Sequence, residues 1–196
     1  MADLEQLRKK LTERGYQCSV FETAPEAVDY LKGSLSGKTI GFGGSITARE
    51  MGLYEALSQN NTCRWHWEGA SLADAADTQV YISSLNAVAE TGELVNIDGA
   101  GNRVASGLYG HEKVIFVVGT NKIAPDLEQA IWRARNIAAP KNAQRLRKQT
   151  PCAAKADRCY DCSSPDRICG AMVLYWKRPT CIPEMELVLV KEDLGY

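Results

Sequence analysis

The chain has 196 residues, enough for one domain to bury an ordinary hydrophobic core without disulfide staples. With 45% apolar and 24% charged residues it is too hydrophobic for a disordered chain, and a net charge of -1 with no long Lys or Arg run argues against a nucleic-acid partner. No apolar stretch approaches membrane-spanning length and the N-terminus lacks a signal-peptide core, so a cytoplasmic protein without membrane insertion is expected, its odd number of cysteines (seven) read as reduced thiols.

Leu4, Leu7 and Leu11 recur at helical spacing ahead of Gly15, which predicts a first helix from about Asp3 to Arg14. Cys18 to Phe21 reads as a strand, followed by a helix that Thr23 caps and Glu26 reciprocates. Thr39 to Phe42 reads as a second strand running into Gly43-Gly44-Ser45, after which Thr47 and Glu50 have capping-box spacing and Ile46 and Met51 the spacing of a hydrophobic staple. Cys63 to Trp67, Val80 to Ser83, Leu94 to Ile97 and Val114 to Val118 are short apolar runs of strand length. Several are apolar on both faces, as strands covered by helices on two sides must be. Asp98-Gly-Ala-Gly-Asn102 between two of these runs reads as a hairpin turn, and the expected sheet is therefore mixed. Pro125 to Ile137 is the clearest long helix, with Pro125 in its first turn and Leu127, Ile131, Ala134 and Ile137 near one face. Residues 150 to 170 break all periodicity before Met172 to Trp176 and Leu187 to Val190 resume the sheet.

Chemistry is suggested at three places. Cys152, Cys159, Cys162 and Cys169 form C-x6-C-x2-C-x6-C, and the central pair can chelate one centre from a turn. Four soft ligands suit a 4Fe-4S iron-sulfur cluster, the favoured reading, with zinc as the alternative; Lys155, Arg158 and Arg167 between them would offset the anionic charge of either. Free structural thiols, or a redox pair at Cys159 and Cys162, are the plainer readings. Cys18 and Cys63 lie in strand-like runs as small hydrophobes, and Cys181 sits between two prolines outside the cluster. The Gly43-Gly44-Ser45 turn can present backbone N–H groups to an anion, although glycines also serve only to turn a chain. Glu90 follows one strand-like run and precedes another, where a carboxylate can act as base or nucleophile or stay solvated. Asn102 and Arg103 are expected beside the same crevice. His66, His111 and the four tryptophans read as packing residues.

Together these segments resemble the LUD-domain (lactate-utilisation) family, formerly a domain of unknown function, DUF162. The resemblance rests on Gly43-Gly-Ser-Ile-Thr47 with Glu50-Met-Gly-Leu53, on Ser84 through Asp98, and on Gly101-Asn-Arg-Val104. It continues through Val118-Gly-Thr-Asn-Lys-Ile123, Ala138-Ala-Pro-Lys-Asn142, Thr150-Pro-Cys152, Arg167-Ile-Cys169 and Asp193-Leu-Gly-Tyr196. It implies an α/β fold with a mixed, mostly parallel open sheet and helices on both faces, similar to sugar-phosphate isomerases and CoA transferases, with the cysteine-rich loop near the C-terminus. In that fold ligands sit at glycine turns beside strand ends, which would gather Gly43, Gly44, Ser45 and Glu90 near one crevice, where Thr47, Asn102 and Arg103 are also expected as ligand-binding residues. The Ala-Glu-Thr-Gly turn is similar to the turn that carries the nucleophilic glutamate of CoA transferases.

The family further implies a role in oxidising lactate to pyruvate beside partner subunits that carry iron-sulfur clusters. The leading expectation is an accessory or electron-transfer subunit in 2-hydroxy-acid oxidation, with a small anionic metabolite as ligand. The alternatives are a transferase or isomerase that uses Glu90 and the glycine turn, and a binding module stapled by a structural metal.

Overall fold

The structure, a computed structural model, describes residues 2–196. Helix α1 (Leu4–Glu13) is capped by Asp3 and fully buries Leu7 and Leu11, and Gly15 in the left-handed region turns the chain into β1 (Gln17–Phe21). Helix α2 (Ala24–Ser34) opens on the expected capping box, in which the Glu26 amide donates to Thr23 and the Thr23 amide to the Glu26 carboxylate. There follow β2 (Thr39–Phe42), α3 (Ile46–Glu50), α4 (Leu53–Leu57), β3 (Thr62–Trp65), α5 (Leu72–Ala76) and β4 (Val80–Ser83). The middle of the chain forms β5 (Ala87–Ala89), β6 (Leu94–Asp98), α6 (Asn102–Leu108), β7 (Lys113–Gly119) and β8 (Ile123–Ala124). It closes with α7 (Leu127–Arg133), α8 (Ala139–Arg145), α9 (Pro151–Lys155), β9 (Ala171–Tyr175) and β10 (Glu184–Val190). Among the described residues no helix is long and apolar enough to cross a membrane.

Three local expectations change. Ser45, not Thr47, caps α3: its hydroxyl accepts from the Ala48 amide at 3.1 Å, so Ile46 is already helical and the staple with Met51 does not arise. Asp98 to Asn102 closes no hairpin. The Asp98 carboxylate instead accepts from the amides of Gly99 and Arg103, each at 2.9 Å, and Gly101 at φ 86° leads straight into α6. Pro125 precedes the long helix, which Asp126 caps through the Gln129 amide, and the helix continues beyond Ile137 through a π-helical stretch, Ala134–Ala138, into α8. The wider turn relieves the clash that Pro140 would otherwise make with the carbonyl four residues before it.

The pairing is mostly parallel, as expected, but it is divided between two sheets. Six strands in the order β1-β10-β7-β4-β2-β3 are parallel throughout, and four in the order β8-β5-β6-β9 form a smaller mixed sheet. In β7, Ile115 and Val117 face one core with Leu31 of α2 and Leu53 of α4, while Val114, Phe116 and Val118 face a second core with Leu7 and Leu11. A third core packs Ala87, Val95 and Ile97 against Ala130 and Ala134 of the long helix. The neighbouring strands β4 and β7 both run on at their C-terminal ends into the second sheet, where β5 and β8 pair parallel with Val88 opposite Ile123. The links 84–86 and 120–122 therefore lie side by side at the seam.

Candidate functional site

A crevice of about 260 Å³ opens at that seam, beyond the C-terminal ends of β2, β4 and β7. This is where open parallel sheets place ligands. Its floor is shaped by Gly43, whose amide donates to the Ile82 carbonyl at 2.9 Å. A Cβ there would lie 2.7 Å from both Ser83 Oγ and Tyr81 OH, so the close approach of β2, β4 and Arg103 requires glycine. Gly43 stands behind the wall, whereas Gly44, Ser45 and Thr47 line the crevice itself.

Lys122 is the central group. Its side chain lines the crevice yet is only 3% exposed, and Nζ donates to Thr47 Oγ1 at 2.8 Å and to Ser84 Oγ at 3.0 Å. Thr47 Oγ1 in turn donates to the Leu194 carbonyl at 3.2 Å, which fixes it as an acceptor toward the lysine. Burial, reinforced by Arg133, brings the Lys122 pKa down from 10.5 to about 7, with Glu50 working in the opposite direction. Arg133, itself buried, ties the two seam links together by donating to the carbonyls of Asn121 and Asn86.

The remaining polar wall comes from several elements. Arg103, brought in by α6 rather than by a hairpin, donates to Asn96 Oδ1 at 3.3 Å and to the Ile97 carbonyl and lies 3.5 Å from the Asp98 carboxylate, so its charge is already engaged. Asn102 lines the crevice beside it. Arg145 of α8 bonds only the neutral Asn142, at 3.1 and 2.8 Å, and stands over the Trp67 ring at 5.4 Å. His66 contributes a ring whose Nδ1 is buried without a partner among the described residues, and its pKa is lowered by burial and by Arg49. With Asp98 offsetting Arg103, the guanidinium of Arg145 together with the hydroxyls and amides of the wall suits a small anion with a polar body.

Glu90 does not line this crevice. Asn86, Ile97 and Asp98, at the open end of the β5–β6 hairpin, do, whereas Glu90 lies at its closed end, about 13 Å further along an extended chain. The neighbouring turn is fastened to α1, with Arg14 donating to the Thr91 carbonyl and to Glu93. The expectation that Glu90 joins the glycine turn is therefore corrected: the run of strand between Asn86 and Glu90 carries the carboxylate to the other end. Lys122, Ser84, Asn86 and Arg145 were not singled out by the sequence. A lysine directly after a parallel strand's C-terminal end was the one available signal.

The cysteine loop borders a second cavity of about 220 Å³, lined by Cys159 and Cys169 with Arg135 and Arg167. Arg167 Nε donates to Cys169 Sγ at 3.1 Å, and Arg135 stands 3.7 Å from Cys159 Sγ. Cys162 adjoins through its carbonyl, which accepts from Arg167 at 2.8 Å, while Cys152 lies on α9 with its sulfur 3.3 Å from Thr150 Oγ1. The donor chemistry suits a soft metal and the arginines would offset thiolate charge, but the four sulfurs are not closed around one point. Among the described residues no three His, Cys, Asp or Glu side chains are grouped as a metal site. Cys18 and Cys63 are half-buried against the two main cores, and burial pushes the Cys18 thiol up to about 12.

A family model for the LUD domain matches residues 4–184. Among solved structures, the chain resembles a DUF162 family protein from Deinococcus radiodurans with a TM-score of 0.58 over 95% of each chain and 12% identity, a likeness of fold alone. No curated relative matches the chain.

Proposed function

The chain belongs to the LUD domain family, and from that premise we propose that its crevice binds a small carboxylate of the 2-hydroxy- and 2-oxo-acid class, in a role related to lactate utilisation. The observation that carries this reading is Arg145, whose guanidinium lines the crevice with no charged partner among the described residues. Its side-chain partner is the neutral amide of Asn142, so it remains able to meet an anion, and Lys122 lines the same crevice as a buried amine held by two hydroxyls. The volume, about 260 Å³, favours a three- or four-carbon acid over CoA, since drug-sized ligands occupy roughly 300–1,000 Å³.

Calorimetric titration with lactate, pyruvate, a sugar phosphate and CoA tests it, on the wild type and on Arg145→Ala. The small acids should bind the wild type, and the substitution should weaken them about tenfold, the usual worth of a hydrogen bond to a charged group. Equal affinities would remove Arg145 from the site. Absence of binding by either acid would remove the reading.

A second reading gives the cysteine loop an iron-sulfur cluster, or zinc, and makes the protein an accessory or electron-transfer subunit beside iron-sulfur oxidoreductase partners. What supports it is the cavity that Cys159 and Cys169 line together with two arginines in reach of their sulfurs. It requires Cys152 and Cys162 to close on that cavity when metal binds.

A further inference from the structure

We infer that Lys122 is a nucleophile, and that its amine forms a covalent imine with the carbonyl carbon of a 2-oxo carboxylate seated in the crevice. The inference rests on the carboxylate reading of that crevice and gives it a chemical step.

The argument begins with hydrogen-bond geometry. A neutral amine has two N–H groups and one lone pair, and here both N–H groups are taken: Thr47 Oγ1 accepts at 2.8 Å and Ser84 Oγ at 3.0 Å. Thr47 cannot reverse its role, because its own hydrogen goes to the Leu194 carbonyl. The lone pair is left for the remaining tetrahedral direction, and Lys122 is among the residues that line the crevice. No carboxylate lies within salt-bridge distance of Nζ among the described residues, so no ion pair holds it as an ammonium. Lysines made nucleophilic in proteins are desolvated and placed near other cations. Lys122 meets both conditions, being buried and flanked by Arg133 and Arg103, with Glu50 the opposing charge, and its pKa near 7 leaves a large share of the amine neutral at physiological pH.

Arg145 supplies the complementary anchor. A guanidinium lining the same crevice can take the carboxylate of the acid, which orients the adjacent carbonyl carbon for attack. In the step itself a bond forms between Nζ and the carbonyl carbon as the C=O π pair moves to oxygen, and one amine proton passes to that oxygen to give a carbinolamine. The carbon–oxygen bond then breaks and water leaves with the second amine proton, producing the imine. No oxidant or reductant is consumed. A 2-hydroxy acid has no carbonyl at that carbon and binds without reacting.

The test uses the intact protein with pyruvate and sodium cyanoborohydride, which reduces an imine to a stable secondary amine. Mass spectrometry of the folded protein at neutral pH should show a gain of one pyruvic acid less one oxygen atom, mapped to the peptide that carries Lys122, and no gain with lactate. Lys122→Arg keeps hydrogen-bond donors but cannot form an imine and should lose the adduct; should that variant fold poorly, the peptide map of the wild type decides alone. Trapping should already be substantial at pH 7 and change little by pH 9, whereas an ordinary lysine gains steeply over that range. Pyruvate binding by calorimetry with no adduct, or with adducts only at other lysines, would overturn the imine and leave the carboxylate site standing. Neither binding nor adduct would overturn both.

Discussion

Lys122 shows how one residue can tie ligand chemistry to folding energetics. Its folded-state pKa is near 7, against 10.5 for an ordinary lysine, so between those values the unfolded chain holds a proton that the folded chain has released. Raising pH through that window therefore favours the folded state. Relative to Lys122→Met, the wild type should gain about 2 kcal/mol in urea-unfolding free energy from pH 7 to pH 9. Parallel curves for the two proteins would show that the amine is charged and paired in a way the geometry does not contain. Residues whose role is local were legible in the sequence: Gly43 through Thr47 follow a strand directly, and Asn102 and Arg103 follow a glycine turn. Trp67, Asn142 and Arg145 were not, because only the topology brings the turn after β3 and the far end of α8 to one crevice. Glu90 was misplaced for a related reason. Sequence marks a residue as lying between two strands without saying which end of the hairpin meets the sheet above.

At the scale of elements, turn chemistry proved ambiguous where strand and helix periodicity did not. The run Asp98 to Asn102 has the composition of a hairpin, yet Gly101 in the left-handed region serves a helix start equally well, and the Asp98 carboxylate decides the matter by capturing the Gly99 and Arg103 amides. Strands β5 and β8 have three and two residues, too short for any alternation to register, which is why the second sheet was not foreseen. The segment from Ala156 to Gly170 has no regular element of its own and is held by side chains, chiefly Arg167 to the Cys162 and Cys169 carbonyls and Arg135 to Asp161. If this loop closes on a metal, its amides should exchange with solvent more slowly in the metallated protein and faster after chelation, while the parallel sheet is unaffected. Protein prepared without oxygen should then contain iron with sulfide, or zinc, by elemental analysis. Cys159→Ser and Cys162→Ser should each lower that content and Cys18→Ser should not. Metal-free anaerobic protein with an unchanged exchange pattern would leave the loop to its arginines alone.

For the molecule as a whole, the long parallel core makes folding respond as a unit to any buried group that changes charge, and the clearest such group at mild acidity is His111. It is 3% exposed between α6 and β7 and stacks on Tyr81 of β4 with ring centroids 4.9 Å apart. Its Nδ1 lies 2.7 Å from the Thr78 carbonyl, an acceptor only, so Nδ1 carries the hydrogen and Nε2 carries the lone pair. Nε2 is buried and has no partner among the described residues. Protonating it would bury an N–H with no acceptor as well as a charge, and burial accordingly lowers the His111 pKa below 6.5, although the Thr78 carbonyl and Asp77 pull the other way. Below pH 6.5 the unfolded chain therefore takes up a proton that the folded chain refuses, and stability must fall as pH falls. His111→Gln can keep a donor to Thr78 and cannot titrate, so it isolates the effect. Between pH 7.5 and 5.5 the wild type should lose more stability than this variant in urea unfolding monitored by tryptophan fluorescence. An equal loss in both proteins would mean that His111 is protonated alike in the folded and unfolded chain, and that acid sensitivity lies with other groups.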